Sequence, residues 1–493
     1  MTRMTWFLVL ALGGCDALEG LVEGGAEQAS AASTAVTVTT SSDEAREAYA
    51  SGMVALDNFR TAEAIFDFER ALELDPDFAR AKAQLGSLEL GEDGLVMLRA
   101  ANEAAATLPE AERILIRSLL ADAQGQEAEA NTLLAKVGEL APGDWRVQMQ
   151  LGTAAFFQED YAAALTRLQT ATELAPDAGP AWNVLGYTQA QMGDTDAAVA
   201  SFDRYIAVAP DEANPYDSKG EVLLQAGRFE ESEEAFLRAT RVAPSFYQGW
   251  YGVAQTRFMR GDWDGGLDAV AKGGKAATRP VDKLGARTVR AWALTAMGNR
   301  LAAEATVTAA AEEAKAGGLD DTYAFMSLTH GQLLMRMGEW DDATAAFDEA
   351  LRRLGEVGLE GRPAEVLRNQ TALGKAHAAA RKGEIDVARK ALDELSAKRK
   401  AQPWLKNSLT HLHGVIDVAG GYFDEAIATL AMCPNVAFDC RHDLAKAQAA
   451  AGKDADAAST LASLRARPWR QASFLPVWTA IGTGEPDTTA AKE

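Results

Sequence analysis

Cysteine is nearly absent from this chain: there are three, at positions 15, 433 and 440 of 493. So few exclude a disulfide-built scaffold, which needs a dense framework of cysteines. Histidine is almost as scarce. His330, His377, His411, His413 and His442 match no standard metal-ligand spacing, and His411 and His413, two apart on a helix, point different ways. No run of 18 apolar residues occurs, although 48% of the chain is hydrophobic, so no ordinary membrane-spanning helix is expected. Basic residues are few beside acidic ones, and the net charge is −23. Nucleic acid wants a basic surface, so it is a poor partner. Also missing are an HExxH helix, a nucleophile elbow, a phosphate loop and a paired-glycine dinucleotide fingerprint. Acidic residues abound, but none stands out as a catalytic pair. No catalytic site, metal or cofactor is expected.

Proline is also sparse, at fifteen, yet it is placed with regularity. Pro142, Pro176, Pro210 and Pro244 fall 34 residues apart. A fixed period of this kind means one structural unit stacked many times. Let the proline be place thirty-two of each unit. Place eight then holds Gly152, Gly186, Gly220 and Ala254. Place twenty holds Ala164, Ala198 and Ser232, and place twenty-four holds Leu168, Phe202 and Phe236. Place twenty-seven holds Ala171, Tyr205 and Ala239.

One unit reads as a helical hairpin. Tyr216, Lys219, Gly220 and Leu223 share a face of a first helix. Gly227 supplies the turn, and a second helix over residues 231–241 carries Phe236 and Ala239 inward. Pro244 ends it, having no amide to continue the ladder. Such a unit buries too little apolar surface to fold alone, and stacking on a neighbour supplies the rest.

These residues resemble the tetratricopeptide repeat. Trp182, Leu185, Gly186, Ala198, Phe202 and Pro210 carry its signature, as do Gly52, Ala64, Phe68, Ala71 and Pro76, and later Gly331, Ala343, Phe347 and Ala350. The resemblance implies an all-α, right-handed superhelical solenoid of about twelve antiparallel helix pairs over residues 44–465. Units are expected to start near Ala45, Ala79, Ala111, Trp145, Gly179, Ala213, Tyr247, Leu284, Ala324, Asn369, Asn407 and Phe438. The second is two residues short, and units after Gly338 are expected to have longer loops between them, as around residues 355–362. Two short runs, residues 108–113 (LPEAER) and 213–221 (ANPYDSKGE), resemble arrays found beside bacterial kinases and winged-helix regulators.

In that family the first helix of each unit lines a concave groove that holds a protein or peptide. The resemblance places Met149, Phe156, Phe157, Asn183, Tyr187, Gln191, Asp217, Glu221, Gln225, Tyr251, Gln255, Phe258, Met259 and Trp292 there. Phe156, Phe258 and Met259 read equally as core between helices. Met149, Asn183, Tyr187, Gln191, Glu221, Tyr251, Gln255 and Trp292 are the groove candidates, with Tyr187, Tyr251 and Trp292 foremost for their polar tips. No unit has the Lys and Asn pair of the family's carboxylate clamp. Residues 362–406 are rich in Arg and Lys, readable as a partner patch or as a solvated face.

The front of the chain reads differently. Arg3 precedes an apolar stretch from Trp6 to Leu12, and Gly13, Gly14 and Cys15 follow. A charged start, a short apolar core and small residues make a secretory signal. Leu12, Gly13, Gly14 and Cys15 resemble a bacterial lipobox, which implies cleavage before Cys15 and its lipidation. Residues 1–14 are then signal and 15–43 a lipidated cysteine with a flexible linker rich in Ala, Ser and Thr. Asp16 resembles an inner-membrane retention signal, but inner and outer membrane both stay open. An exported chain meets an oxidising compartment, where Cys433 and Cys440 can pair; two buried thiols, or a zinc site with His442, are the other readings. Residues 466–482, with Trp469 and Trp478, read as a cap on the last helix or a linear motif, and 483–493 as a disordered tail. The expectation is a lipid-anchored, non-catalytic interaction scaffold of the bacterial envelope. A cytoplasmic regulatory array of a signalling system, whose N-terminus is not a signal, is the alternative, and an enzyme using groove carboxylates is the third reading.

Overall fold

The computed structural model describes residues 35–58, 60–89, 92–398, 402, 405–434, 437–465, 475, 476 and 479. Among these are 24 α-helices and no strand, so the fold is a helical repeat solenoid. Two compact units divide the chain, residues 1–222 and 223–493.

In the first unit, Asp43–Asp57 (α1) pairs with Thr61–Leu74 (α2), and Ala79–Leu88 (α3) with Glu92–Ala104 (α4). Glu110–Ala123 (α5) and Glu127–Leu140 (α6) follow, then Trp145–Phe157 (α7) and Tyr161–Leu174 (α8). Gly179–Gln191 (α9) and Thr195–Val208 (α10) come next, and Asn214–Gln225 (α11) carries the boundary. In the second unit Phe229–Val242 (α12) precedes Tyr247–Met259 (α13) and Trp263–Ala276 (α14). Pro280–Ala296 (α15) pairs with Arg300–Ala316 (α16), and Asp320–Arg336 (α17) with Trp340–Val357 (α18). The last hairpins are Gly361–Arg381 (α19) with Ile385–Ser396 (α20), Lys406–Ala419 (α21) with Phe423–Ala431 (α22), and Phe438–Ala450 (α23) with Asp454–Arg465 (α24).

The proline ladder has a direct structural meaning. Ala141, Ala175, Ala209 and Ala243 are the C-caps of α6, α8, α10 and α12, and each ladder proline follows one of them. The proline carbonyl is then capped by place four of the next first helix. Gln148 Nε2, Trp182 Nε1 and Tyr216 Oη donate to the carbonyls of Pro142, Pro176 and Pro210 at 3.0, 2.8 and 3.0 Å. Place eight is small because place twenty-four fills its space: a Cβ on Gly186 would lie 2.7 Å from the Phe202 ring, and Phe202 is fully buried. The hairpin turns keep the same beat. Gly193, Gly227 and Gly261 have φ of 86°, 73° and 81°, and Glu159 holds the equivalent place at φ 63°.

Contacts also run between units that are not neighbours in sequence. Arg146 in the first turn of α7 meets Asp57, the last residue of α1, at 2.6 Å. In the second unit Arg336 at the end of α17 pairs with Asp439 in the first turn of α23. Each pair joins the C-terminal end of one first helix to the N-terminal end of the first helix three hairpins later.

Two expectations need correction. The connection expected to lengthen at residues 355–362 does not: α18 and α19 are separated only by residues 358–360, and the extra residues extend helices, α15 to α19 running to 17, 17, 17, 18 and 21 residues. The later connections between repeats are longer, as expected, covering residues 397–405 between α20 and α21 and 432–437 between α22 and α23. Without a proline every 34 residues nothing cuts the helices short, and Gly358 in the left-handed conformation makes the turn at φ 63°. The second correction concerns the linker. Residues 36–42 are not a free tether but an extended strap docked on the first unit. Val36 N–H donates to Asp144 Oδ2 at 3.1 Å, Thr39 N–H to Glu112 Oε1 at 2.9 Å and Ser41 N–H to Asp75 Oδ2 at 2.8 Å. Ser42 then N-caps α1. Even-numbered residues of the strap are buried or half-buried and odd-numbered ones are exposed, although the Thr39 hydroxyl turns in to Glu112. That alternation is legible in Val36, Thr37, Val38 and Thr39, and is the strand signature.

Candidate peptide-binding site

The groove candidates divide by burial. Asn183, Gln255 and Trp292 are 3, 2 and 6% exposed. Trp292 belongs to an apolar cluster with Leu284, Val307 and Tyr323, so it is core between helices and not a contact for a partner. Phe258 and Met259 are also core, in a cluster with Phe236 and Val253. Tyr251 is half-buried and committed to packing: a Cβ on Gly273 would lie 2.6 Å from its ring. Its hydroxyl donates to the Asp282 carbonyl at 3.2 Å, and Tyr247 lies edge-on to it at 5.4 Å. Tyr247 donates to Asp282 Oδ1 at 2.9 Å, and that carboxylate also takes Arg279 in two bonds at 2.6 and 2.8 Å. Burial, then the bond to Asp282, pushes the Tyr247 phenol up to about 12. The expected role of Asn183, Gln255, Tyr251 and Trp292 as contact residues is therefore not met, because burial and stacking consume them.

What remains half-exposed is a stretch on α7, α9 and α11: Met149, Tyr187, Gln191 and Glu221. Tyr187 and Glu221 hold the same place in successive units, 34 residues apart, and the phenol donates to Glu221 Oε2 at 3.0 Å. The Tyr187 ring is braced edge-on by Phe202 at 5.4 Å. Beneath them Asn183 Oδ1 is buried with no hydrogen-bond partner. A rigid aromatic, an amide, a thioether and a carboxylate along one face can hold an extended or helical segment.

A second locus was not foreseen from the sequence. His377, His411, Asp443, Arg381 and Arg336 converge from α17, α19, α21 and α23. His411 Nε2 lies 2.7 Å from Asp443 Oδ2, and Arg381 holds the other oxygen at 2.6 Å. The His377 and His411 rings are 4.8 Å apart. Burial alone would raise the Asp443 carboxyl, but Arg381 and His411 override it and hold it well below the usual range. Burial first, then His411, pushes His377 well below its ordinary value. No spacing rule links positions 62 or 103 residues apart, so only the superhelical path reveals the cluster.

Part of the basic stretch is committed to ion pairs. Lys375 binds Asp348, Arg381 binds Asp443, and Lys382 binds Asp341 and Glu384. A cavity of about 580 Å³ lies between α14, α15 and α16, where Lys275, Lys283, Arg287 and Arg290, the third of these paired with Glu313, surround small apolar walls. Cys433 and Cys440 are joined, with Cα atoms 6.3 Å apart, inside an apolar cluster with Leu430 and Leu444. Bonded sulfurs are not zinc ligands, and no group of three metal-binding side chains occurs among the described residues. Leu475, from the expected cap, is fully buried in one cluster with Leu464 and Phe258. Cys15 and residues 483–493 lie outside the described residues.

Residues 149–217 and 218–279 match one family model of the tetratricopeptide repeat, and residues 46–78 match another. These three stretches are tetratricopeptide repeats, and such repeats support a role as a protein-interaction scaffold. No curated protein matches its sequence. Among solved structures, a tetratricopeptide-repeat protein from Parabacteroides merdae is 17% identical, covers 53% of this chain and 98% of its own, and superposes with a TM-score of 0.37. MamA from Desulfovibrio magneticus is 19% identical over 35% of this chain and 97% of its own, with a TM-score of 0.31. YrrB, described as a tetratricopeptide-repeat protein with an unusual peptide-binding site, is 16% identical over 35% and 90%, with a TM-score of 0.29.

Proposed function

We propose that this chain is a lipid-anchored, non-catalytic scaffold of the bacterial cell envelope that holds a protein segment against α7, α9 and α11. The observation that carries the binding half is the run of half-exposed first-helix residues Met149, Tyr187, Gln191 and Glu221, where the other candidates are consumed by stacking. The anchoring half rests on Leu12, Gly13, Gly14 and Cys15. Diacylglycerol on Cys15 would give a stable anchor, since each buried CH₂ adds about 0.8 kcal/mol. The pair Cys433–Cys440 suits an oxidising compartment.

Radiolabelled palmitate, fed to cells making the full chain, tests the anchor. The wild type takes up label and Cys15→Ala does not; an unlabelled wild type returns the chain to a cytoplasmic regulatory array. A photo-crosslinking residue at position 187 tests the groove, with the same residue at position 301, exposed on the second helix α16, as control. One discrete adduct from 187 alone supports the reading; equal adducts from both sites refute it.

A further inference from the structure

The strap is bound as a ligand is bound. Three carboxylates, one at each junction between the first four hairpins, accept its backbone amides: Asp144 from Val36, Glu112 from Thr39 and Asp75 from Ser41. Side chains add to this. Thr39 Oγ1 donates to Glu112 Oε2 at 2.6 Å, so both oxygens of a carboxylate with no exposed surface are met by one strap residue. Thr40 Oγ1 donates to Asp75 at 2.5 Å. Val36, 7% exposed, sits among Ile114, Leu115, Val137 and Val147 from the third and fourth hairpins. Arg46 closes the far end by donating to the carbonyl of Val38.

The register has a simple origin. An extended chain rises about 3.3 Å per residue, so three residues span about 10 Å, close to the spacing of packed helices. Val36 and Thr39 therefore reach neighbouring junctions. Carboxylate-to-amide bonds read backbone and extended shape, and are about twice as strong as neutral ones. The inward side chains select β-branched residues at the first and third places and a hydroxyl at the fifth. Polarity is fixed as well, because the segment runs from the fourth hairpin to the first. Were the strap lifted, Glu112 would lose both partners beside an apolar pocket, a state costly enough to favour a new occupant.

We infer that the N-terminal edge of the first four hairpins is a peptide-binding track, separate from the groove on α7, α9 and α11. Val36–Ser42 is its resident ligand. An extended segment of another chain, with apolar β-branched and hydroxyl residues alternating, takes the track when the resident is displaced. The resident holds it through a high effective concentration, so the track is closed by default.

A fluorescein-labelled peptide of residues 35–42 (AVTVTTSS) tests this by anisotropy against the full chain. Val36→Asp with Val38→Asp puts acids beside Asp144 and in the apolar pocket, and displaces the strap. That variant binds the peptide at least about tenfold more tightly than the wild type. Adding Glu112→Ala, or using a peptide with Thr39→Pro that lacks the amide, weakens binding by about tenfold or more. Equal affinities for the displaced chain and the wild type, with helical circular dichroism unchanged, overturn the inference. So does an affinity indifferent to Glu112→Ala. If the displaced chain does not fold, hydrogen exchange on the wild type decides. The amides of Val36, Thr39 and Ser41 are protected, and millimolar peptide speeds their exchange while helix amides stay unchanged. Exchange that is fast from the start, or unmoved by the peptide, overturns the inference equally.

Discussion

Asp57 closes α1 and Arg146 opens α7, and their side chains meet at 2.6 Å with both charges on the wrong ends of their helices. A helix C-terminus favours a cation and an N-terminus an anion. In the second unit the corresponding pair is reversed, with Arg336 ending α17 and Asp439 opening α23. The cost shows in the titration. Burial raises the Asp57 carboxyl above its ordinary value even though Arg146 pulls it down. Asp443, by contrast, is held far below its ordinary value by Arg381 and His411 against the same burial penalty.

The two aspartates should therefore respond differently to neutralisation. Asp57→Asn is expected to cost less than about 1 kcal/mol at neutral pH, because the charge it removes was barely favourable. Asp443→Asn is expected to cost about 3 kcal/mol, since it strands the Arg381 guanidinium and loosens four first helices. Urea unfolding of both variants at pH 7.5 measures this, and equal losses would contradict the assignment.

Glu159 repeats the turn position of Gly193, Gly227 and Gly261 but keeps a side chain at φ 63°. The left-handed region costs an ordinary L-residue about 1 kcal/mol. Glu159→Gly should accordingly stabilise the first unit by up to about 1 kcal/mol, the greater freedom of an unfolded glycine taking back part of the gain. A melting temperature that falls would show that the glutamate earns its place by contacts.

The histidines set a pH dependence with a definite sign. Burial, more than neighbouring Lys446, brings His442 down from 6.5 to about 4, and His377 is pushed the same way. Both stay neutral in the fold, whereas the unfolded chain takes up protons near pH 6.5. Their contribution is complete above pH 6.5 and is lost as pH falls toward 4, about 2–3 kcal/mol for His442 after allowing for solvent at its half-buried ring. Denaturant midpoints at pH 7.5, 6 and 5 should decline for the wild type and decline less for His442→Gln. A flat wild-type profile would rule the histidines out.

The bond between Cys433 and Cys440 closes an eight-residue loop. Loop-closure entropy for that length corresponds to about 2.5 kcal/mol at 25 °C. Adding a phosphine reductant, or making Cys433→Ala with Cys440→Ala, should lower the unfolding midpoint by about that much. An unchanged midpoint would mean that the surrounding cluster of Leu430 and Leu444 already pins the loop.

Much of this is legible in the amino-acid sequence alone. Pro142, Pro176, Pro210 and Pro244 mark helix ends because a missing amide acts locally, and Gly186 marks a crossing because Phe202 is a fixed distance away in sequence. The tail of the period was harder. From Pro280 to Arg381 nothing in the sequence says whether added residues lengthen helices or loops. Burial at place nine was also hidden: Gln255 and Tyr187 hold the same place in their units, and only the neighbouring unit decides which one is covered. Asp57 with Arg146, and His411 with Asp443, depend on the superhelical path, which is the sum of many small rotations. The strap was different, since its Val and Thr alternation was present and outweighed by the low complexity around it.

The strap also decides where a pull on the N-terminus is felt. Traction on the chain before residue 35 does not act on α1, the first helix in sequence. It enters beside Asp144 at the fourth hairpin, then runs backward along Val36–Ser42 and loads the bonds at Asp144, Glu112 and Asp75 in shear. A protein hung from its N-terminus would thus be held by its second to fourth hairpins. The force needed to free the strap is then the threshold at which load reaches α1 and the track opens.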